Sequence, residues 1–241
     1  MNVLAIVAHP DDMEFCCAGT LAKCVKRGDR VICCHVSSGS LGSVTIPPEE
    51  LRPMRAQEAK NAGALAGIEV ISGGFDDLEI YDNNKEARDK IVDIIRYANP
   101  DFIITHYPED YMADHTAVSR LTFDASFAAT LPNYTDYCHK YSDPNGEPAK
   151  LCPIYYMPDE GGFKSNPTEY VDITNEIDLK IEMLKCHKSQ IDWLNDHDGT
   201  DSIDQIKLVA KFRGMQCGVE YAEAFTQCQA YLKGTTKRLL P

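Results

Sequence analysis

The chain has 241 residues, 44% of them hydrophobic and 25% charged, an ordinary globular composition with room for one large α/β domain or two small ones. Its net charge of −13 and pI near 4.9 repel phosphate backbones and anionic lipid. Nucleic acid and membrane surfaces are thereby excluded as partners, and a small neutral or polar molecule is favoured.

The opening segment, MNVLAIVAHPDD, lacks the basic region of a secretory leader, and no stretch approaches the ~18 apolar residues of a membrane span. The ten cysteines show no CxxC spacing, and Cys16–Cys17 and Cys33–Cys34 are adjacent pairs inside apolar segments. They read as buried free thiols of a reducing, cytoplasmic compartment. Residues 3–8 (VLAIVA) form a continuous apolar run, as expected of a parallel strand buried on both faces. A helix over 14–27 closes at Gly28, and 30–36 make a second strand that runs into the glycine loop 37–43 (SSGSLGS). A helix over 47–66 stops at Gly67, a short strand covers 68–72, and a helix over 85–98 ends at Asn99-Pro100. A fourth strand spans 101–105, and a further helix runs from about Asp114 to Ala129. Residues 131–167, rich in Pro, Asn, Asp, Gly and Tyr, read as an irregular functional loop region over the site, with one strand at 152–157. A strand at 169–173 and helices over 175–194 and 201–213 follow.

Strands alternating with helices imply a mostly parallel sheet wound by right-handed crossovers. Ligands of such sheets sit at the carboxyl ends of the strands. Residues 9–12, 37–43 and 106–115 all fall at that edge. His9 and Asp12, three apart in the turn leaving a buried strand, can address one atom, and His115 can complete a three-ligand zinc site with an open position. Water in that position falls to a pKa of about 7, and the neighbouring Asp11 is placed to accept its proton. Taken alone, His-Pro-Asp-Asp is also a good turn and helix cap, and Asp114-His115 an ordinary helix start. Their joint placement at two strand ends favours the metal. Asp110 is expected to orient a ligand, Glu14 to cap its helix, His35 and His187 to be structural, and Tyr155 and Tyr156 to be core.

Residues 8–15, AHPDDMEF, resemble the signature of the LmbE-like, PIG-L-type de-N-acetylases, and the similarity continues along nearly the whole chain. SSGSLGS resembles the family's second glycine loop, Arg55-Ala-Gln-Glu58-Ala its R-x-x-E-A helix, and HYPEDYMADHTAV (106–118) its second metal motif. VDIT at 171–174 with Lys180, then His187-Lys-Ser189-Gln190, resembles its C-terminal helix signature, and Gly218-Val-Glu-Tyr221-Ala-Glu223-Ala-Phe225 its closing segment. The resemblance implies one Rossmann-like, three-layer α/β domain over 1–241 with no dinucleotide site, since no GxGxxG follows the first strand. It implies hydrolysis of the acetamide of an N-acetylglucosamine-type or related N-acyl substrate, with metal-bound water as nucleophile. Zn²⁺ is expected, or Fe²⁺, Mn²⁺ or Co²⁺. Carried over by motif, His9, Asp12 and His115 would be ligands and Asp11 the general base. Arg55, Asp77, Gly39 and Gly42 would lie on the substrate side. Small members form homo-oligomers, which is the expectation here.

One departure stands out. The family writes its second motif H-x-D-H, and its first histidine stabilises the tetrahedral intermediate or protonates the leaving amine. Here that position is Met112, before Ala113-Asp114-His115. Met cannot donate a proton, and losing an oxyanion donor costs ~10²–10³ in rate. His106, Tyr111 and His139 are candidate substitutes, His106 first because it ends the fourth strand. Asp11, Asp114 and His106 thus make up the candidate catalytic set. The alternatives are a metal hydrolase of another acyl or ester substrate, or a weakened metal-binding homologue.

Overall fold

Strand β1 (Asn2–Val7) is buried from Val3 onward and sends alternate side chains to opposite faces, as the pleat requires. Val3, Ala5 and Val7 enter one core, Leu4 and Ile6 the other. It pairs in parallel with β2 (Arg30–Ser37) on one side and β4 (Phe102–His106) on the other. Beyond β2 lies β3 (Glu69–Phe75), and beyond β4 lies β5 (Ile154–Met157), both parallel. The sheet finishes with β7 (Ala222–Gln227), antiparallel to β5, and β6 (Glu169–Asp172), antiparallel to β7. The order is β3-β2-β1-β4-β5-β7-β6. The direction of winding therefore reverses between β1 and β4, which opens a crevice at their carboxyl ends.

Helices cover both faces and make three layers. One core lies beneath α1 (Asp12–Cys16), α2 (Ala18–Lys26), α6 (Ile177–Leu184) and α8 (Ser202–Cys217); the other lies beneath α4 (Lys85–Ala98) and α5 (Ala113–Ala128). Helices α3 (Pro48–Ala66) and α7 (Lys188–Asp198) complete the set. This computed structural model describes every residue except 164 and 200, with backbone alone at 195, 196 and 198.

Two helices expected to be continuous are broken. The segment 14–27 divides into α1 and α2 at Cys17, whose backbone (φ −145°, ψ 4°) is not helical. The segment 175–194 divides between α6 and α7 at residues 185–187. The strand β7 is an addition to the expected elements. Its Glu223 is buried and accepts the Gly19 and Thr20 N–H groups at 2.9 and 2.7 Å, so its carboxylate caps the N-terminus of α2. Lys180 Nζ lies 2.5 Å from Glu223 Oε1 and 3.0 Å from the Phe15 carbonyl, which neutralises that buried charge. Within the irregular region 131–153, Asp93 of α4 acts as a peg. It accepts the N–H groups of Lys140, Tyr141 and Ser142 at 2.8–2.9 Å and the Ser142 hydroxyl at 2.7 Å. All ten thiols are free, and no helix among the described residues is long and apolar enough to cross a membrane.

Candidate metal centre and active site

The turn after β1 lays Pro10 and Asp11 across the crevice and starts α1 at Asp12. Asp11 has φ +124°, a conformation that L side chains rarely adopt and that costs about 1–3 kcal/mol. Such strain persists only where surrounding contacts fix it, and here they are dense. The Arg55 guanidinium, buried on α3, sits 3.0 Å from Asp11 Oδ2 and donates to the Pro10 and Gly39 carbonyls, the second at 2.8 Å.

Asp12 is the hub. Its Oδ2 accepts the His9 N–H at 2.6 Å and lies 3.1 Å from His106 Nε2, while its Oδ1 lies 3.2 Å from His115 Nε2. His9 Nδ1 faces Asp12 at 3.7 Å, and His9 Nε2 lies 3.1 Å from Asp114 Oδ2. His115 Nδ1 lies 3.1 Å from Asp110 Oδ2. His9 and His115 thus each turn one nitrogen toward Asp12 and the other toward a second carboxylate, the pattern in which an outer carboxylate fixes the tautomer of a metal-ligating histidine. One ligand atom each from His9, Asp12 and His115 lies within 4.8 Å of the other two, and His106, Asp110 and His115 form a second, overlapping group. The buried nitrogens of His115 and Asp110 Oδ2 are close but not aligned as hydrogen bonds. Orphaned buried polar atoms with an N/O/N donor set fit a divalent cation.

Electrostatics follow from this packing. Burial works to raise the Asp12 carboxyl, but His115 and His106 outweigh it and hold it well below the usual range. Burial works to lower His115, yet Asp12 and Asp110 keep it well above its ordinary value. Burial, joined by the charge of His115, brings His106 down to about 4. His106 is neutral, and its Nε2 accepts the Ala8 N–H at 2.9 Å while its ring stacks 3.9 Å from His115. That nitrogen is enclosed between the Ala8 N–H and Asp12 Oδ2, which makes His106 a direct partner of Asp12 inside the centre.

The glycine loop is held from two sides. Asp77 accepts the Gly39 and Leu41 N–H groups at 2.7 and 2.8 Å. Gly39, at φ +69°, is pressed so closely on the Arg55 guanidinium that a Cβ would collide with it. The first turn of α7 clasps the other side: Ser189 donates to Glu58 through N–H and hydroxyl at 3.0 and 2.7 Å, and Gln190 Nε2 donates to the Gly42 carbonyl at 3.0 Å. His187, at the same turn, places Nε2 3.3 Å from Glu14 Oε2, both fully buried. Arg55, Asp77, Gly39 and Gly42, expected on the substrate side, therefore have their polar contacts within the protein. Glu14, expected as a helix cap, faces His187 instead. His139 packs on Tyr137 and meets the Thr135 carbonyl inside its own loop. Tyr111 keeps its ring 6.3 Å from His115.

One group escaped the sequence reading. Glu160, two residues beyond Pro158 at the carboxyl end of β5, is pushed up to about 8 by burial and then by the charges of Asp12 and Asp11. Its signal was the Asp159-Glu160 pair at another strand end, the same placement as Asp11-Asp12.

The family model described as PIG-L: GlcNAc-PI de-N-acetylase matches residues 4–126, which carry β1 to α5 and all three of His9, Asp12 and His115. The chain belongs to the PIG-L family. The probable N-acetyl-alpha-D-glucosaminyl L-malate deacetylase 2 of Bacillus cereus is 34% identical over 198 residues, 78% of this chain and 83% of that protein. The N,N'-diacetylchitobiose deacetylase of Pyrococcus horikoshii superposes with TM-score 0.80 at 25% identity, covering 94% of this chain and 83% of the other. The 4-carboxy-2-hydroxymuconate hydratase of Pseudomonas putida superposes with TM-score 0.81 at 21% identity over 99% and 100%, a likeness of fold alone. This PIG-L member is an enzyme of a deacetylase family whose Rossmann-like sheet brings together a His/Asp group able to hold a metal ion.

Proposed function

We propose that this protein is a divalent-metal-dependent de-N-acetylase, zinc being first choice, that hydrolyses the acetamide of an N-acetylglucosamine-type or related N-acyl compound. The observation that carries the reading is the convergence of His9, Asp12 and His115 within 4.8 Å beside Asp11. The three would hold the ion, with Asp114 and Asp110 orienting the two imidazoles. When bound, the cation supplies Lewis-acid polarisation of the amide carbonyl and a lowered pKa for water. Asp11 takes the proton from the attacking water, held in its strained pose by Arg55. Once protonated, Asp11 can return that proton to the leaving amine. Glu160 adds a further carboxyl that feels the charges of Asp12 and Asp11. A bound cation would lower its value from about 8.

Asp11→Asn tests this directly. It should retain a full equivalent of metal and lose roughly 10²–10⁴ in turnover of N-acetylglucosamine conjugates. Unchanged turnover removes Asp11 from the mechanism. Met112 favours a second reading, in which the metal site acts on another acyl or ester bond. Generic esters and phosphoesters assayed beside the N-acetyl sugars separate the two.

A further inference from the structure

Helix α1 is a single turn of five residues, all buried, that begins at the candidate ligand Asp12 just after the strained Asp11. The Asp11 carbonyl accepts the Phe15 N–H at 3.0 Å, so the pose of Asp11 and the orientation of α1 are one variable. One turn of helix does not hold itself in water, and its orientation is set by what grips it from outside. Lys180 of α6 takes the Phe15 carbonyl at 3.0 Å. At Glu14 the grip is His187, which stands immediately before α7 with Nε2 3.3 Å from Glu14 Oε2.

That contact is a poor investment for stability alone. Both side chains are fully buried, and neither the Glu14 oxygens nor the His187 nitrogens make an aligned hydrogen bond. Such a pair recovers little of its desolvation, and well-packed apolar side chains of similar volume would hold the fold as well. What sets the pair apart is its place. The charge of His187 acts on Asp11, and those of Asp11 and Arg55 act on His187. Burial works to lower His187, but Glu14 outweighs it and keeps the imidazole above its ordinary value. The same turn of α7 clasps α3 through Ser189 on Glu58 and the glycine loop through Gln190 on Gly42.

We propose that His187 is a positioning residue: gripped by Glu14, it fixes α1 and stands with Arg55 as a second cation behind Asp11, holding that carboxylate where it takes the proton from the attacking water. This rests on the reading of Asp11 as the base. Arg55 holds the turn from α3, through the Asp11 carboxylate and the Pro10 carbonyl, and His187 holds it from α1. His187 is not among the residues whose ligand atoms converge on one point. Acting only through Asp11, it should change the rate of the bound complex and leave substrate and metal affinity alone.

The test uses the metal-loaded protein and N-acetylglucosamine conjugates. Glu14→Met/His187→Leu removes both charges and keeps the apolar volume. It should resist urea as well as the parent, hold a full equivalent of zinc, keep KM and lose about 10–100-fold in kcat. Asp93→Asn, remote from the site, should lower stability and leave kcat unchanged, which separates loss of rate from loss of fold. Gln can carry an N–H to the position of Nε2, and Asn is too short. His187→Gln should therefore retain a higher kcat than His187→Asn, and equal values overturn the proposal even if the double variant fails to fold. A fall in activity matched by lost zinc, or a raised KM alone, also overturns it. Parent-like kcat in the double variant, with Asp11→Asn inactive, overturns the positioning role and spares the reading of Asp11. Unchanged turnover in Asp11→Asn overturns both.

Discussion

Arg55→Met is the most informative single perturbation of the scaffold. The parent guanidinium is buried, 3.0 Å from Asp11 Oδ2, and donates to the carbonyls of Pro10 and Gly39. Methionine fills much of the volume and removes every donor. One buried carboxylate then loses its cation, which costs about 3–5 kcal/mol when a buried pair is broken. Two buried carbonyls also lose a partner, at about 1–3 kcal/mol each where no water replaces the donor. These terms overlap, so the expected loss is about 4–6 kcal/mol, or a fall in Tm of roughly 8–24 °C for a chain of this size. Arg55→Lys keeps the charge but cannot reach all three acceptors, and should fall between parent and Met. Urea unfolding followed by circular dichroism supplies both values. A Met variant within about 0.5 kcal/mol of the parent, with only a raised KM, would refute the strut and return Arg55 to the substrate.

Four further outcomes are expected. Asp110→Asn and Asp114→Asn each take the oriented carboxylate from one imidazole and should weaken zinc binding by about 10–100-fold, read by chelator competition; unchanged affinity would deny them that role. Burial works to raise Asp93, but the Ser142 hydroxyl and the backbone N–H groups outweigh it and lower its value. Its contribution is therefore present above the unfolded pKa near ~3.9 and disappears as pH falls through the lower folded value. Asp93→Asn should cost about 2–4 kcal/mol at pH 7 and progressively less in acid, and a pH-independent difference would contradict the peg. Gln190→Ala frees the Gly42 carbonyl and should lower turnover more than stability, since it loosens the glycine loop rather than the core; parent-like kinetics would release α7 from the site. Lys180→Met leaves Glu223 buried and unpaired at the start of α2, with an expected loss of about 3–5 kcal/mol in urea.

Much of this arrangement was legible because local chemistry and tertiary use agree. The run at 3–8 reads as a doubly buried strand and lies in the middle of the sheet. The helix expected over 85–98 is α4, with the Asn84 side chain capping its start and Asn99 ending it in the left-handed region. The centre was legible because its members occupy strand ends and the family motif marks them. The failures arise where distant contacts override local pattern. Nothing in 14–27 announces a break at Cys17, which Glu223 imposes from β7 by capping a fresh helix start. The apolar spacing through 185–187 continues without interruption, and the chain nonetheless turns there to bring His187 onto Glu14. In β7 the buried Glu223 disguises the pattern of a strand. Glu160 lies 148 positions from Asp12, so no spacing rule links them. Arg55 and Asp77, expected on the substrate side by resemblance, also hold the glycine loop through their hydrogen bonds, a use that no local pattern announces.

The central claim is that His9, Asp12 and His115 share one ion. Anomalous diffraction at the zinc edge, from crystals of the zinc-loaded protein, tests it most directly. The account expects a single peak about 2.0–2.2 Å from one nitrogen of each histidine and from an Asp12 oxygen. A strong peak elsewhere, with none among these three, would contradict it.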